Sequence, residues 1–83
     1  MAILLAAQCR AARGLLGWSQ EILAVRAGLG LSTVRDLETE RREVSTESLG
    51  KIRAALEREG VAFIDADAKG GPGVRLSARR SSR

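Results

Sequence analysis

Three times before residue 50 this chain repeats one arrangement. A residue suited to cap a helix is preceded by an apolar side chain and followed, four positions on, by another. Trp18, Ser19 and Leu23 make the first set, Leu29, Gly30 and Val34 the second, and Val44, Ser45 and Leu49 the third. A cap of this kind answers the unpaired N–H groups of the first helical turn, and the flanking apolar pair staples the entering chain to the helix. Glu21 and Glu47 fall in first turns, where the helix dipole favours negative charge. Three starts of one kind in close succession predict three short helices, and they leave little room for a sheet among them.

The remaining boundaries follow from apolar period and glycine placement. Leu5, Cys9, Ala12 and Leu16 recur at helical spacing, so a first helix is expected from Ile3 to Arg13. Gln8, Arg10 and Arg13 break all-round apolarity there, and the Gly14–Gly17 stretch should end it. The second helix runs from Ser19 through Leu23, Ala24 and Ala27, with Gly28 at the left-handed position that closes a helix. The third carries Leu31 to Thr39. The fourth starts at Ser45, passes through Ile52 and Leu56, and stops at Gly60. Beyond it, 61–65 and 73–77 read as short strands joined by a Gly/Pro/Asp loop, a hairpin. The expected division is therefore a helical domain over 1–60, a hairpin over 61–77 and a disordered basic tail over 78–83.

Composition narrows the chemistry. The 83 residues suit one domain with a thin core. There is no histidine and one cysteine, so a zinc site and an intramolecular disulfide are both excluded. No nucleophile–base pair is legible, and neither an enzyme nor a cofactor is expected. Cys9 reads as a small buried hydrophobe. The net charge of +4 lies mostly in the tail, at Arg75, Arg79, Arg80 and Arg83, so charge alone does not mark the helical part as a nucleic-acid binder. Leu4 to Cys9 faintly resembles the end of a lipoprotein signal, but no basic residue precedes it and Gln8 replaces the small residue required. No apolar run reaches the ~18 residues of a membrane span. A cytoplasmic protein without membrane attachment is the expectation.

The functional signal is Ser19-Gln20-Glu21-Ile22-Leu23-Ala24, then Ala27-Gly28-Leu29-Gly30-Leu31-Ser32-Thr33-Val34, then Leu37-Glu38. Two short helices joined by a glycine-containing turn make a helix-turn-helix, whose second helix enters the DNA major groove. On a helical wheel Leu31, Ser32, Arg35, Asp36 and Thr39 share one arc, with Val34 and Leu37 opposite. Over about Leu5 to Leu56 this pattern resembles the Cro/CI-type, or XRE-like, repressor family. The resemblance implies a mainly α fold, a four-helix lambda-repressor-like DNA-binding domain, here followed by the hairpin.

The resemblance also implies roles. Gln20 corresponds to a glutamine that anchors the DNA backbone and touches a base edge. Ser32 is placed for a base or phosphate, Leu31 for a thymine methyl, Arg35 for guanine O6 and N7, and Asp36 for cytosine N4. Thr39 lies on the same arc, and Arg41 and Arg42 are expected to clamp phosphates after the third helix. Arg13 and Glu38 match positions that form a partly buried structural ion pair. Five residues depart from the family pattern: Gly30 for a serine cap, Leu31 for a polar residue, Thr39-Glu40 for an Asn/Gly turn, and Ile22 for a glutamate.

Double-stranded DNA is thus the expected partner, and a homodimer the expected form. One small module reads too few bases for useful specificity, whereas a two-fold dimer reads two half-sites about 34–36 Å apart. Val61, Phe63, Ile64, Val74 and Leu76 are the expected dimer interface, since a lone hairpin needs cover. The leading reading is a repressor on a pseudo-palindromic operator. The rival is an interaction module or antitoxin-type protein binding an unidentified partner through Ile22, Leu31, Asp36 and Glu40.

Overall fold

The computed structural model describes Leu4 and residues 6–77. Four helices come first, α1 (Ala6–Leu16), α2 (Gln20–Ala27), α3 (Leu31–Thr39) and α4 (Thr46–Arg58). Two strands follow, β1 (Val61–Ile64) and β2 (Gly73–Leu76), paired antiparallel. The architecture is mainly helical with a terminal hairpin, as expected. The expected start at Ile3, the place of Leu5 in the apolar stripe and the tail over 78–83 lie outside the described residues.

The cap signals act locally. Ser19 Oγ accepts from the Ile22 N–H and Ser45 Oγ from the Ser48 N–H, each at 3.1 Å. Gly30 precedes α3 in an extended conformation with no side-chain bond to give. Trp18, Leu29, Val44 and Leu49 are half-buried against the core that holds Leu23 and Val34. Gly28 closes α2 at φ +71°.

The first helix differs from expectation at its end. It continues through Gly14 to Leu16, and Gly17 at φ +68° terminates it. One interior glycine is a modest penalty for a helix whose buried stripe continues past it. Gln8 also departs: it is 4% exposed, not on the solvent face. Positions 8, 9, 12 and 16 form a stripe wide enough to include it, and its side-chain N–H donates to the Gly73 carbonyl of β2 at 3.1 Å.

Leu23, Val34, Ile52, Leu56 and Cys9 are fully buried, with Ala12, Ala24, Ala27 and Ala55 around them. The small residues let the helices approach closely, so a core with few large side chains still closes. The hairpin packs on α1 and α4. Its register pairs Val61 with Leu76 and Phe63 with Val74, and opposed residues share a sheet face. That face turns inward: Val61 is buried, and Phe63 and Val74 pack on the core. Three of the five residues expected at a dimer interface are thus covered by their own helices, because so short a helical core needs the hairpin as its lid. Ile64 and Leu76 remain exposed. The Arg53 guanidinium lies 4.8 Å over the Phe63 ring, and the Ser77 N–H donates to Gly60 at 2.7 Å, closing the hairpin base.

The two glycines give opposite expectations. A Cβ at Gly14 meets nothing within 4 Å, and its φ is not left-handed. Gly14→Ala should stabilise the protein by about 0.5–1 kcal/mol through helix propensity. Gly28→Ala also meets open space but must hold φ +71°, and should destabilise by about 1 kcal/mol. Thermal melting should move up for the first and down for the second, by about 2–8 °C each.

Candidate nucleic-acid interface

The turn between α2 and α3 is set by Gly28, whose left-handed geometry lets its own N–H and that of Leu29 return to the last carbonyls of α2. Gly30 then turns the chain into α3. Val34 and Leu37 point inward, and the opposite arc is open: Ser32, Arg35 and Thr39 are exposed, Leu31 and Asp36 half-exposed. The hairpin sits on other helices and does not cover this arc.

Glu38 determines which way that arc faces. It is 2% exposed on α3, and its carboxylate meets donors from two other elements. Arg13 of α1 forms a two-pronged contact, Nε to Oε2 and Nη2 to Oε1, both 2.7 Å. The Gln20 amide donates to Oε1 at 3.0 Å and the Cys9 thiol to Oε2 at 3.1 Å. Arg13 also donates to the Trp18 carbonyl at 2.9 Å, and Arg10 reaches the Glu38 carbonyl. Burial alone would raise the Glu38 carboxyl; the donors Arg13, Gln20 and Cys9, with the Arg13 charge, more than offset it and hold the group below its ordinary value. The same hydrogen bond to Glu38 raises Arg13. Burial, then the bond to Glu38, pushes the Cys9 thiol far above its usual range, so it stays protonated as a donor.

The expected Arg13–Glu38 pair is therefore present. Gln20 belongs to the same network: one amide hydrogen goes to Glu38, and the side chain stands half-exposed at the start of α2. Sequence reasoning missed Cys9 and Arg10 as members. The spacing of Cys9 and Arg13, one helical turn apart on α1, carried the signal for the first.

On the outward arc the expected residues split into two groups. Ser32 and Arg35 are exposed and make no side-chain contact among the bonds described. Thr39 donates its hydroxyl to the Arg35 carbonyl at 2.8 Å, leaving only lone pairs for an outside group. Asp36 is taken by Arg42, Nε to Oδ2 at 2.7 Å. Arg41 is exposed beside this pair. Glu40 closes α3 at φ +56°, a left-handed position held by a non-glycine residue. Among the described residues no cluster of potential ligands could hold a metal ion, and no helix is long and apolar enough to cross a membrane. The outer side of α2 carries a second exposed patch, with Ile22 at 41% and Val25 at 78% beside Trp18, over whose ring Arg26 stacks.

The family described as Helix-turn-helix has a model that matches residues 10–61, from inside α1 to the first residue of β1. No curated protein matches the chain.

Removing Arg13 would strand a charge at the centre of this network. Arg13→Ala should destabilise by about 3 kcal/mol, the lower end for a broken buried pair because Arg13 keeps some exposure. The pH dependence has a definite sign. The folded-state value of Glu38 is depressed, so its contribution is complete above the unfolded carboxyl value of about 4.3 and is lost as pH falls through the lower folded value. Denaturant titrations at pH 7 and pH 3 should therefore show a large gap between wild type and Arg13→Ala that narrows in acid. An equal gap at both would refute the ionic account.

Proposed function

The chain belongs to the Cro/CI-type helix-turn-helix family of DNA-binding regulators, and from that premise we propose that it is a cytoplasmic transcriptional repressor. It binds a pseudo-palindromic operator as a homodimer and acts by occupying it. The observation that carries this reading is the open arc of α3, where Ser32 and Arg35 stand exposed while Val34 and Leu37 bury the opposite side and Glu38 is held at the border between them. An α-helix with one free polar face fits the width of the major groove.

Within this reading, Arg35 pairs with guanine, Ser32 meets a base or phosphate, and Leu31 packs on a thymine methyl. Gln20 keeps its second amide hydrogen for a phosphate while Glu38 holds the first. Arg41 neutralises a phosphate beyond the helix. Dimerisation runs through the hairpin, with Ile64 on its outer face and Leu76, still exposed at the end of the inward face, as its apolar residues, since Val61, Phe63 and Val74 are engaged within the chain. An open strand edge is a template for pairing with a second copy.

The apolar side of α2 favours a second reading, in which Ile22 and Val25 receive a partner protein. Selection of duplexes from a random-sequence pool separates the two. A DNA reader enriches a two-fold symmetric site and loses affinity steeply with salt, whereas a pure interaction module enriches nothing.

Two substitutions then sort contacts by kind. Arg35→Ala should cost about 1–3 kcal/mol at the selected operator and relax preference at one base pair of each half-site. Arg41→Gln should weaken all duplexes alike and lower the salt slope by about 0.9 per half-site. For the dimer, Ile64→Asp should shift the sedimentation mass toward the monomer while helical circular dichroism is retained. A dimer that persists unchanged would remove the hairpin from the interface.

A further inference from the structure

Asp36 and Arg42 are the only ion pair among the described residues that joins the outward arc of α3 to the segment following it. Asp36 occupies the position of a base reader, yet its carboxylate is already bound. Arg42 Nε lies 2.7 Å from Oδ2, and the Asp36 side chain is 17% exposed against 53% for Arg42. Arg42 is fixed a second time by the hydrogen bond from Nη1 to the Glu43 carbonyl at 3.1 Å. The Arg41 N–H donates to the Asp36 carbonyl at 3.0 Å, so backbone and side chain of Asp36 both hold this segment against the end of α3.

On the helical wheel the arc runs in the order Leu31, Arg35, Thr39, Ser32, Asp36, so Asp36 ends it on the side away from Glu38. The pair therefore stands at the edge of the surface, where the helix meets the following segment. A groove-lying helix meets the sugar–phosphate wall at such an edge and base edges at its centre.

We infer that Asp36 does not read a base but acts as a positioning residue, holding the Arg42 guanidinium at the phosphate wall and having its own charge cancelled there. This inference rests on the DNA-binding reading above. With Nε on Asp36 and one Nη1 hydrogen on Glu43, three guanidinium hydrogens have no partner among the bonds described, a set of donors suited to phosphate oxygens on a side chain that is 53% exposed. Without Arg42, the Asp36 carboxylate would face the polyanion uncompensated. The residue type at 36 thus carries no base information, and the specificity of α3 reduces to Leu31, Ser32 and Arg35.

The full chain and the operator selected for it provide the test, with wild type, Asp36→Ala, Arg42→Gln, Arg42→Lys and the Asp36→Ala/Arg42→Gln double variant compared against Arg41→Gln. Asp36→Ala should leave base preference unchanged at every operator position in a repeated selection. Arg42→Gln should weaken specific and unrelated duplexes by the same factor, about tenfold and more than Arg41→Gln, because it both loses a phosphate contact and exposes a carboxylate. Arg42→Lys keeps the charge and should lose less. Adding Asp36→Ala to Arg42→Gln should recover about threefold or more, a non-additivity that a merely structural role would not produce.

A changed base preference at one position in Asp36→Ala makes Asp36 a reader and overturns the inference while leaving the DNA-binding reading intact. A double variant no tighter than Arg42→Gln overturns it as well. A wild-type protein that enriches no duplex fails at the earlier step, and both readings fall together.

Discussion

A carboxylate at 2% exposure sits on the one helix whose orientation matters most. Left alone, the Glu38 charge would be too costly to bury, and the group would neutralise or the helix would turn. Donors from α1 and the start of α2 converge on it instead. Hydrophobic packing of Val34 and Leu37 fixes that α3 lies against the core, but apolar contacts are non-directional and tolerate rotation about the helix axis. The two-pronged Arg13 contact does not. It sets the rotation of α3, hence the residues that face outward, and through Gln20 it ties the first turn of α2 to the same reference point.

The rest of the molecule supports that lock. Arg13 sits on α1, and α1 is in turn anchored to β2 by the buried Gln8 amide. The hairpin therefore contributes to the helical core through Val61 and through Gln8, and is more than an appendage to it. This explains why its inward face is apolar on both strands. Residues 61 and 74 belong to the same packing unit as Ile52 and Leu56.

Much of this was readable from the chain. Every helix start after the first was marked by a cap and its staple, since those signals are local and depend on a few residues. The Arg13–Glu38 pair came from resemblance; spacing alone could not show that residues 25 positions apart meet. What escaped was the part decided by tertiary contact. Gln8 reads as polar and therefore exposed until a carbonyl on β2 is brought to it. The hairpin side chains Val61, Phe63 and Val74 read as available to another subunit because the sequence does not reveal how much apolar surface the helices still leave open. The Asp36–Arg42 ion pair also escaped, because Arg42 lies beyond the end of the helix, outside any wheel.

The charge pattern around α3 has a further consequence. Arg35, Arg41 and Arg42 are interleaved with Asp36, Glu40 and Glu43, so this surface carries little net charge. On the DNA-binding reading, long-range attraction to phosphate from this surface is then modest, and binding relies on the individual arginine contacts. A protein of this kind gains discrimination because the nonspecific competitor is suppressed, but one module gains too little total affinity to hold an operator. Doubling the module through a symmetric partner adds contacts without adding unpaired charge, which is the physical argument for a dimer. The same balance makes the Glu40 position informative: a carboxylate at φ +56° is unfavourable for backbone and for phosphate alike. On the DNA-binding reading its presence is a restraint on nonspecific affinity, and the low charge of the surface is a feature of how the site discriminates.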